Sequence, residues 1–374
     1  MIKIRIIAAL LLIIFISGCA GNKKLSRDEG PFGPVWPTQQ AIQTGNNVEM
    51  SSFQGDLKIV HERKTRGSID SPIFVGDKYV GFSTTRRRFV ILDRETGKRT
   101  FRFKSKKGTL TDPIIEDSLL ILLKQSDPVR LQTINMFSGK VIRERRLKEF
   151  HSGSIMVLDS LILGAGQGLT ALNRFTLETL WVQGSGERVV SRPVSDGKMI
   201  YFVSANRHVQ AVGSDSGNAV WEMTTSADII GSPTLGSHLY LSDIEGRIIA
   251  LTPDRGEIVW ETELDYPSWS SVAEFEKLIY FGGNDGIVYC LSADDGSVVW
   301  EYETDGVVTA PPVVFGDAVL IGSLDRHFYS LDRRTGELFD RHRLEGAVTE
   351  AAAVHGDQIF VGCRNNRIYI FEAK

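Results

Sequence analysis

Cysteine is nearly absent from this chain. Only three of its 374 residues are cysteines, at Cys19, Cys290 and Cys363, and no two of them lie close enough in sequence to form a paired redox or zinc motif. Cys290 and Cys363 fall within apolar, strand-like runs. An oxidising compartment would permit a disulfide between them, but two buried thiols are the favoured prediction. We therefore do not expect the function to rest on cysteine chemistry.

The motifs of common catalytic and metal sites are also missing from the sequence. The seven histidines show no spacing typical of metal ligands, and His208 and His327 are predicted to occupy solvent-facing turns between strands. No glycine-rich loop introduces a helix, so a phosphate-binding loop is not expected. No nucleophile elbow for serine catalysis is present. We therefore predict no catalytic residue, no metal site and no cofactor.

Neither sign of charge is in large excess. The chain has 43 Lys and Arg residues against 46 Asp and Glu residues, a formal net charge of −3, so nucleic acid is not an expected partner. Three local basic clusters occur, at residues 86–88, 143–148 and 341–343. Each could dock an acidic partner or lipid phosphates. The favoured interpretation is that they are solvated turns and outer strand edges, where charge prevents edge-to-edge pairing.

Long apolar runs are confined to the N-terminus. Residues 1–18 begin with a charged stretch followed by an apolar run, shorter than the roughly twenty residues of a membrane-spanning helix, and are predicted to be a signal peptide. The quartet ISGC that ends at Cys19 resembles the lipobox of bacterial lipoproteins, which implies cleavage before Cys19 and lipidation of its thiol. The alternative is an ordinary secretory signal. In many bacterial lipoproteins an Asp after the lipidated Cys retains the protein in the inner membrane; Ala20 stands at that position here, so the resemblance implies sorting to the outer membrane, with the protein facing the periplasm.

Residues 19–50 have the composition of a tether. Pro31, Pro34 and Pro37 stand among mostly polar residues, a pattern that disfavours regular structure. Such a chain is semi-extended, at about 3.1 Å per residue, and would hold the rest of the protein clear of a bilayer. The segment is predicted to be a flexible linker, and residues 51–374 are assigned to one domain.

A repeat with a period near forty residues fills this domain. Each copy contains short segments rich in β-forming residues and bounded by Gly, Asp or Asn, which is typical of antiparallel strands. Each copy begins with a short motif centred on Pro72, Pro113, Ile155, Pro193, Pro233, Val272, Pro312 or Ala352. Eight copies of four strands predict an all-β, eight-bladed β-propeller of four-stranded antiparallel blades.

The last copy stops before its closing strand. Residues 56–62 have the sequence of such a strand and lie before the first complete copy, with His61 forty residues before Phe101. We therefore predict that this N-terminal strand completes the eighth blade beside Phe371 and closes the ring, which removes an open sheet edge.

An aromatic residue recurs at the same period near the end of the repeat. It is found at Phe101, Trp181, Trp221, Trp260 and Trp300. The clearest copies, residues 251–260 and 291–300, resemble the tryptophan-docking motif of quinoprotein (PQQ)-type repeat propellers. In that motif a Gly takes a positive φ in a tight turn, and the indole packs on the neighbouring blade, a burial that contributes about 2–3 kcal/mol per copy. Because a ligand-binding Trp would be singular, these residues are predicted to dock blades.

Quinone-dependent dehydrogenases share this repeat. The resemblance implies that an enzyme of that kind would hold the quinone and a calcium ion at the propeller axis. None of the active-site motifs of those enzymes is found in this chain, and a shared fold does not imply a shared function. PQQ is therefore not expected to bind, although a quinoprotein dehydrogenase-like cofactor binder stays open as an alternative.

The lipobox, the tether and the eight repeats together resemble the BamB family of outer-membrane lipoproteins. The resemblance implies a non-enzymatic scaffold, monomeric within a hetero-complex, that docks on the POTRA domains of a BamA-like barrel subunit and aids insertion of outer-membrane proteins. The partner-binding loops of that family correspond to residues 183–190 and 224–230, with Arg188 and Asp228 as candidate contacts. A lipid-tethered propeller that binds envelope polymers is a further alternative.

Overall fold

The computed structural model describes residues 48–49, 53, 55–69, 71–86, 88–104, 110–116, 119–124, 128–136, 138–147, 155–158 and 160–374. The predicted signal peptide, Cys19 and nearly all of the predicted tether lie outside these residues. Within the described part of the chain, no helix has the length and apolar character needed to cross a membrane.

Short apolar segments punctuated by turns form eight sheets, which we number as blades I to VIII in chain order. Two strands, β1 (Val48–Glu49) and β2 (Leu57–Lys64), precede blade I. The strands of blades I and II are β3 (Phe74–Val75), β4 (Tyr79–Thr84), β5 (Arg88–Asp93), β6 (Arg99–Lys104), β7 (Leu110–Glu116), β8 (Leu119–Lys124), β9 (Val129–Asn135) and β10 (Lys140–Leu147). Those of blades III and IV are β11 (Ile155–Leu158), β12 (Leu161–Asn173), β13 (Thr179–Arg188), β14 (Val194–Ser195), β15 (Met199–Ser204), β16 (His208–Gly213) and β17 (Ala219–Thr224).

Blades V to VIII follow the same order. Blades V and VI comprise β18 (Ile229–Leu235), β19 (Leu239–Asp243), β20 (Arg247–Leu251), β21 (Ile258–Glu263), β22 (Ala273–Phe275), β23 (Leu278–Gly282), β24 (Ile287–Ser292) and β25 (Val298–Glu303). Blade VII comprises β26 (Val313–Phe315), β27 (Ala318–Gly322), β28 (His327–Asp332) and β29 (Leu338–Arg343), and blade VIII contains β30 (Ala353–His355), β31 (Gln358–Cys363) and β32 (Arg367–Ala373). A single turn of 3-10 helix, Ala205–Arg207, joins β15 to β16.

Strand β12 supplies two of the strands of blade III. The amide of Arg174, directly after β12, donates a hydrogen bond of 2.8 Å to the carbonyl of Ser160, directly before it, so the segment folds back on itself. Gly168 has a φ of +100° between its two halves, a conformation that glycine adopts without steric cost. Blade III is therefore four-stranded and antiparallel, and the prediction of an eight-bladed propeller is confirmed.

The N-terminal strand closes the ring. Strand β2 pairs antiparallel with β32 from Leu57 opposite Ala373 to Lys64 opposite Arg367, and Ile59 lies opposite Phe371. Blade VIII is thus assembled from both ends of the domain, as the sequence predicts. The pairing satisfies backbone groups that would otherwise form an open edge.

Strand β1 adds a fifth strand to blade VII. Val48 and Glu49 pair in parallel with Val314 and Phe315 of β26, the innermost strand of that blade. The ring of Phe53 then stacks on Phe315 with centroids 4.8 Å apart, and its carbonyl accepts a 2.9 Å hydrogen bond from the Asp317 amide. Strand pairing therefore begins within the segment that the sequence assigns to the tether.

The core lies between the blades and around the axis. Buried side chains of adjacent blades form shared clusters, such as Tyr280 of blade VI with Tyr329 of blade VII. The innermost strands of neighbouring blades, for example β22 and β26, contact each other. Because strands alternate in direction, the connections between blades and the turns between the second and third strands of each blade lie on one face, which we call the upper face. Its two kinds of loop touch: the Ile244 amide donates to the Asp228 carbonyl at 2.9 Å.

Candidate functional site

The recurring tryptophans lie at blade junctions. Trp260 and Trp300 are each 7% exposed, and Trp181 and Trp221 are half-buried. Each indole Nε1 donates a hydrogen bond of 2.8–3.1 Å to a carbonyl of the next blade, at Ser214, Pro253, Ala293 or Arg333. Each ring also covers a glycine of positive φ, at Gly217, Gly256, Gly296 or Gly336. Phe101 is fully buried among side chains of blades I and II. These contacts account for the period of the aromatic residues without a ligand.

Other side chains connect the blades at three junctions that have no Trp. Between blades VII and VIII, the Asp340 carboxylate accepts a 3.0 Å hydrogen bond from the Leu57 amide. Between blades II and III, the Arg145 guanidinium donates to the Leu177 carbonyl. Between blades VIII and I, His61 occupies the register position of the tryptophans, opposite Ile370. The junctions are therefore not equivalent, and three of them carry ionisable side chains.

Arg188 and Asp228 lie on the upper face, in consecutive connections between blades. Arg188 is the last residue of β13 and pairs with Gln167; Asp228 lies between β17 and β18. Both side chains are exposed, and neither forms a hydrogen bond or ion pair with another described residue. Most of residues 183–190 belongs to β13, so the predicted loop is in large part a β-ribbon. Gly184 (φ +65°) and Gly186 (φ +104°) lie where the register of this pairing shifts.

The next connection carries two exposed aromatic side chains that sequence reasoning missed. Trp269 is 61% exposed and Tyr266 is 55% exposed, and Ile244, also on the upper face, is 49% exposed. We call these three residues the aromatic patch. The docking aromatic residues recur at the repeat period, and Trp269 is off that period. This singular position is the signal that would have identified it.

The upper-face connections of blades IV to VI adjoin one another. A β-carbon placed at Gly246 would lie 3.3 Å from the backbone of Tyr266, and one at Gly231 would lie 3.7 Å from the Trp269 carbonyl. The Arg192 amide donates a 3.0 Å hydrogen bond to the hydroxyl of Ser232 in the following blade. Arg188, Asp228 and the aromatic patch therefore lie on adjoining segments of the same face.

A buried carboxylate holds the turn that presents Ile244. Asp243 is fully buried, and its Oδ1 accepts the amides of Glu245 and Arg247, both at 2.9 Å. Its Oδ2 accepts Arg247 Nε at 2.8 Å. Burial opposes the charge of Arg247, but its hydrogen bond and charge interaction with Asp243 raise its pKa above the ordinary value. The turn is therefore pinned by charge-assisted hydrogen bonds.

Asp305, Asp325 and His327 form a cluster that sequence spacing did not indicate. One ligand atom of each lies within 4.8 Å of the others, so the donor set is of a kind that could hold a cation. The Asp325 carboxylate is already used locally, however: it accepts the Tyr329 hydroxyl at 2.6 Å, the His327 amide at 2.6 Å and the Asp305 amide at 3.2 Å. These bonds make the cluster a capped turn.

The prediction that His208 and His327 face solvent does not hold equally for the two residues. The His327 side chain is only 19% exposed and packs against the Tyr329 ring, so the prediction of a solvent-facing residue is wrong there, because the capped turn draws the imidazole inward. His208 is 36% exposed, and its Nδ1 lies 3.1 Å from a Glu187 carboxylate oxygen.

Cys290 and Cys363 are free and buried, as predicted. Burial raises the pKa of each thiol to about 12.

The chain is similar to known proteins in the region of its repeats. The family model of the outer membrane protein assembly factor BamB matches residues 148–271 and 244–374, together more than half of the chain. No curated protein matched the sequence.

Similar solved structures include BamB from Moraxella catarrhalis, which is 16% identical with a TM-score of 0.68 over 85% of this chain and 100% of that one. A europium-containing methanol dehydrogenase is 11% identical, with a TM-score of 0.75 over 92% of this chain and 98% of that one. The quinohemoprotein alcohol dehydrogenase from Comamonas testosteroni is 12% identical, with a TM-score of 0.72 over 91% and 80%. Such low identities establish the shared propeller fold alone.

Proposed function

Because the chain belongs to the family of the outer membrane protein assembly factor BamB, we propose that it is a non-enzymatic scaffold for outer-membrane protein assembly. In this proposal Cys19 is lipidated and holds the propeller at the periplasmic face of the outer membrane. The upper face docks on the POTRA domains of a BamA-like barrel subunit and so aids the folding and insertion of outer-membrane proteins.

The surface around the aromatic patch carries this proposal. Trp269 and Tyr266 expose more than half of their side chains beside a connection that carries the charged Asp228. Aromatic residues are enriched among the hot spots of protein interfaces, and several large apolar side chains exposed on adjoining segments of one face favour an interaction site there. The side chains of Arg188 and Asp228 form no hydrogen bond or ion pair with another described residue, so both can pair with charges on a docked protein.

The position of β1 supports a scaffold over a quinoprotein enzyme. This strand lies on the inner edge of blade VII and also contacts β22 of blade VI. In a quinone-dependent propeller, the axis is where the cofactor is held. Here a segment of the chain itself lines that region, which favours a structural use of the axis.

The same aromatic side chains favour a second candidate function. Tyr and Trp rings also stack on sugar rings, because both have a flat apolar face with a polar rim. A lipid-tethered propeller that binds glycan polymers of the envelope would use the patch in this way. It would have no need of a protein partner or of the charges at Arg188 and Asp228.

Direct binding separates the two candidates. The purified protein is titrated with the POTRA domains of the barrel subunit from the same organism, and in parallel with purified cell-wall polymer. The scaffold predicts saturable POTRA binding that is weakened at least tenfold by Arg188→Glu combined with Asp228→Arg. Binding to polymer alone, unaffected by the charge reversals, would replace the scaffold by the second candidate. Absence of POTRA binding in the unaltered protein would refute the scaffold.

A further inference from the structure

The junction between blades VIII and I encloses a cavity of about 180 Å3. Its floor is apolar and consists of Phe82, Val90 and Leu92, which belong to or pack against the core shared by these blades. Its walls are basic. The cationic residues that line it are Arg63, Lys64, Arg66, Arg88, Arg99 and Arg102, and no Asp or Glu lines it in the described part of the chain.

The cavity is found where the docking residue is not a tryptophan. At four other junctions an indole covers the glycine of the next blade, but here the corresponding glycine, Gly97, is met by the side chain of Arg63. Arg63 donates a 3.3 Å hydrogen bond to the Thr96 carbonyl, which holds it across the junction. The Arg63 side chain fills less space than an indole. The volume beside it stays open and is lined by the surrounding arginine side chains.

The acidic residue next to Arg63 is engaged outside the cavity. Glu62 lies on the same strand as Arg63, but it forms an ion pair with Arg367 of β32. Arg88 is half-buried, and its Nε and Nη1 are buried without a hydrogen-bond partner. Burial first, and then the charges of Arg102, Arg66, Arg86 and Arg99, lower the pKa of Arg88 below its ordinary value. Buried donors left unpaired are costly, and like charges held close together add to that cost.

We propose that this cavity is a binding site for a phosphate group, carried either by a small phosphorylated molecule or by a lipid head group. A phosphate monoester bears about −1.5 to −2 charges near neutral pH and three strong acceptor oxygens. Guanidinium groups bind such oxygens with charge-assisted, frequently bidentate hydrogen bonds. Arg88, whose Nε and Nη1 have no partner, lines the cavity, and Arg66 and Arg102 supply further positive charge. The apolar floor suits the carbon part of the ligand.

The site is independent of the proposed docking surface. It lies between blades VIII and I, whereas Asp228 and the aromatic patch belong to blades IV to VI, on the other side of the eight-bladed ring. One of the three basic clusters in the sequence, residues 86–88, contributes Arg88 to the cavity. Arg88 is half-buried in β5 and is not part of a solvated turn.

The test compares two variants that lose the same charge. In the full chain, Arg66→Gln with Arg88→Gln removes two cations from the cavity, and Arg341→Gln with Arg343→Gln removes two exposed cations from β29. Pyrophosphate and a water-soluble short-chain phosphatidic acid are titrated separately by calorimetry, and phosphorus NMR reports the environment of the bound group. We expect at least a tenfold loss of affinity in the cavity variant and less than a twofold loss in the β29 variant.

The two ligands identify the source of the phosphate. Binding of pyrophosphate assigns the site to soluble phosphorylated molecules, and binding of the phosphatidic acid alone assigns it to lipid. Equal weakening in both variants, or no binding of either ligand, would overturn the proposal. Arg66→Gln alone, at an exposed position, serves as the test if the double variant does not fold. As an independent signature, ligand should raise the melting temperature of the unaltered protein but not that of the cavity variant.

Discussion

The indole of Trp260 occupies the space that any side chain at position 296 would need. A β-carbon added to Gly296 would lie 2.5 Å from Cε3 of Trp260, and the indole Nε1 donates a 2.9 Å hydrogen bond to the Ala293 carbonyl of the same turn. Gly296 also has a φ of +74°. The small residue and the large one are thus two halves of one contact between blades V and VI.

Replacing Gly296 by Ala should therefore be more destabilising than its backbone conformation alone explains. A positive φ costs a residue other than glycine about 1–2 kcal/mol, and overpacking adds about 1–3 kcal/mol. Gly356→Ala is the matched control, because Gly356 has a φ of +62° and a β-carbon there would meet no atom within 4 Å. The midpoint of urea unfolding should fall clearly further for Gly296→Ala. Equal shifts would mean that the indole moves aside and that the contact is not rigid.

Removal of strand β2 should open the ring. A chain that starts at Gly55 lacks β1 and Phe53 but retains the pairing of β2 with β32, whereas a chain that starts at Thr65 also leaves β32 as an unpaired edge and removes the buried side chain of Leu57. Exposed edges promote association between chains. We expect the shorter chain to melt at a lower temperature and to self-associate in light scattering. A stable monomer starting at Thr65 would show that β2 is dispensable for closure.

The two buried thiols should be inert in the folded protein. Burial raises the pKa of Cys290 and of Cys363 to about 12, so at mildly alkaline pH both remain protonated, and the thiolate is the reactive form. In a Cys19→Ser variant, a thiol-reactive dye should label neither cysteine until denaturant is added, and then both. Rapid labelling of one of them in the native state would reveal local opening of its strand.

Trp269 should matter for binding and not for stability. Its side chain is 61% exposed, so Trp269→Ala should change the free energy of unfolding by no more than about 0.5 kcal/mol. Loss of an interface hot spot would weaken POTRA binding by about 2 kcal/mol. Phe175→Ala is the control: Phe175 is 58% exposed, but it lies between the third and fourth strands of blade III, on the opposite face. If the two variants weakened POTRA binding equally, the upper face would not be the binding surface.

The regular part of this fold could be read from the sequence because it repeats. The outer strands of the blades can be aligned on the residue at the position of the docking Trp, even in a copy without Trp. His61 lies opposite Ile370 in the same way that Trp300 lies opposite Cys290. That correspondence predicted closure by an N-terminal strand. Strand β1 has no counterpart in other copies, so no periodic signal indicated its place beside β26.

The candidate sites were harder to predict, because they depend on neighbours from different repeats. Residues 183–190 were predicted as a loop, but pairing of Arg188 with Gln167 turns most of them into a ribbon. Asp305 and Asp325 come together across a junction. The basic cavity likewise arises because the side chain of Arg63, and not an indole, lies against Gly97 of the next blade. Periodicity places a residue in a blade, but side chains from the next blade determine its surroundings.

Closure of the ring by β2 also constrains when the protein can finish folding. Leu57 is among the first residues of the propeller, and its partner Ala373 is the second-to-last residue of the chain. Contacts between such distant residues form late, because loop closure is entropically costly. We expect β2 to remain without its native partner until β32 has been synthesised. During that interval the unpaired β2 would be accessible to chaperones and to other chains. The same pairing that closes the finished ring therefore delays the completion of folding.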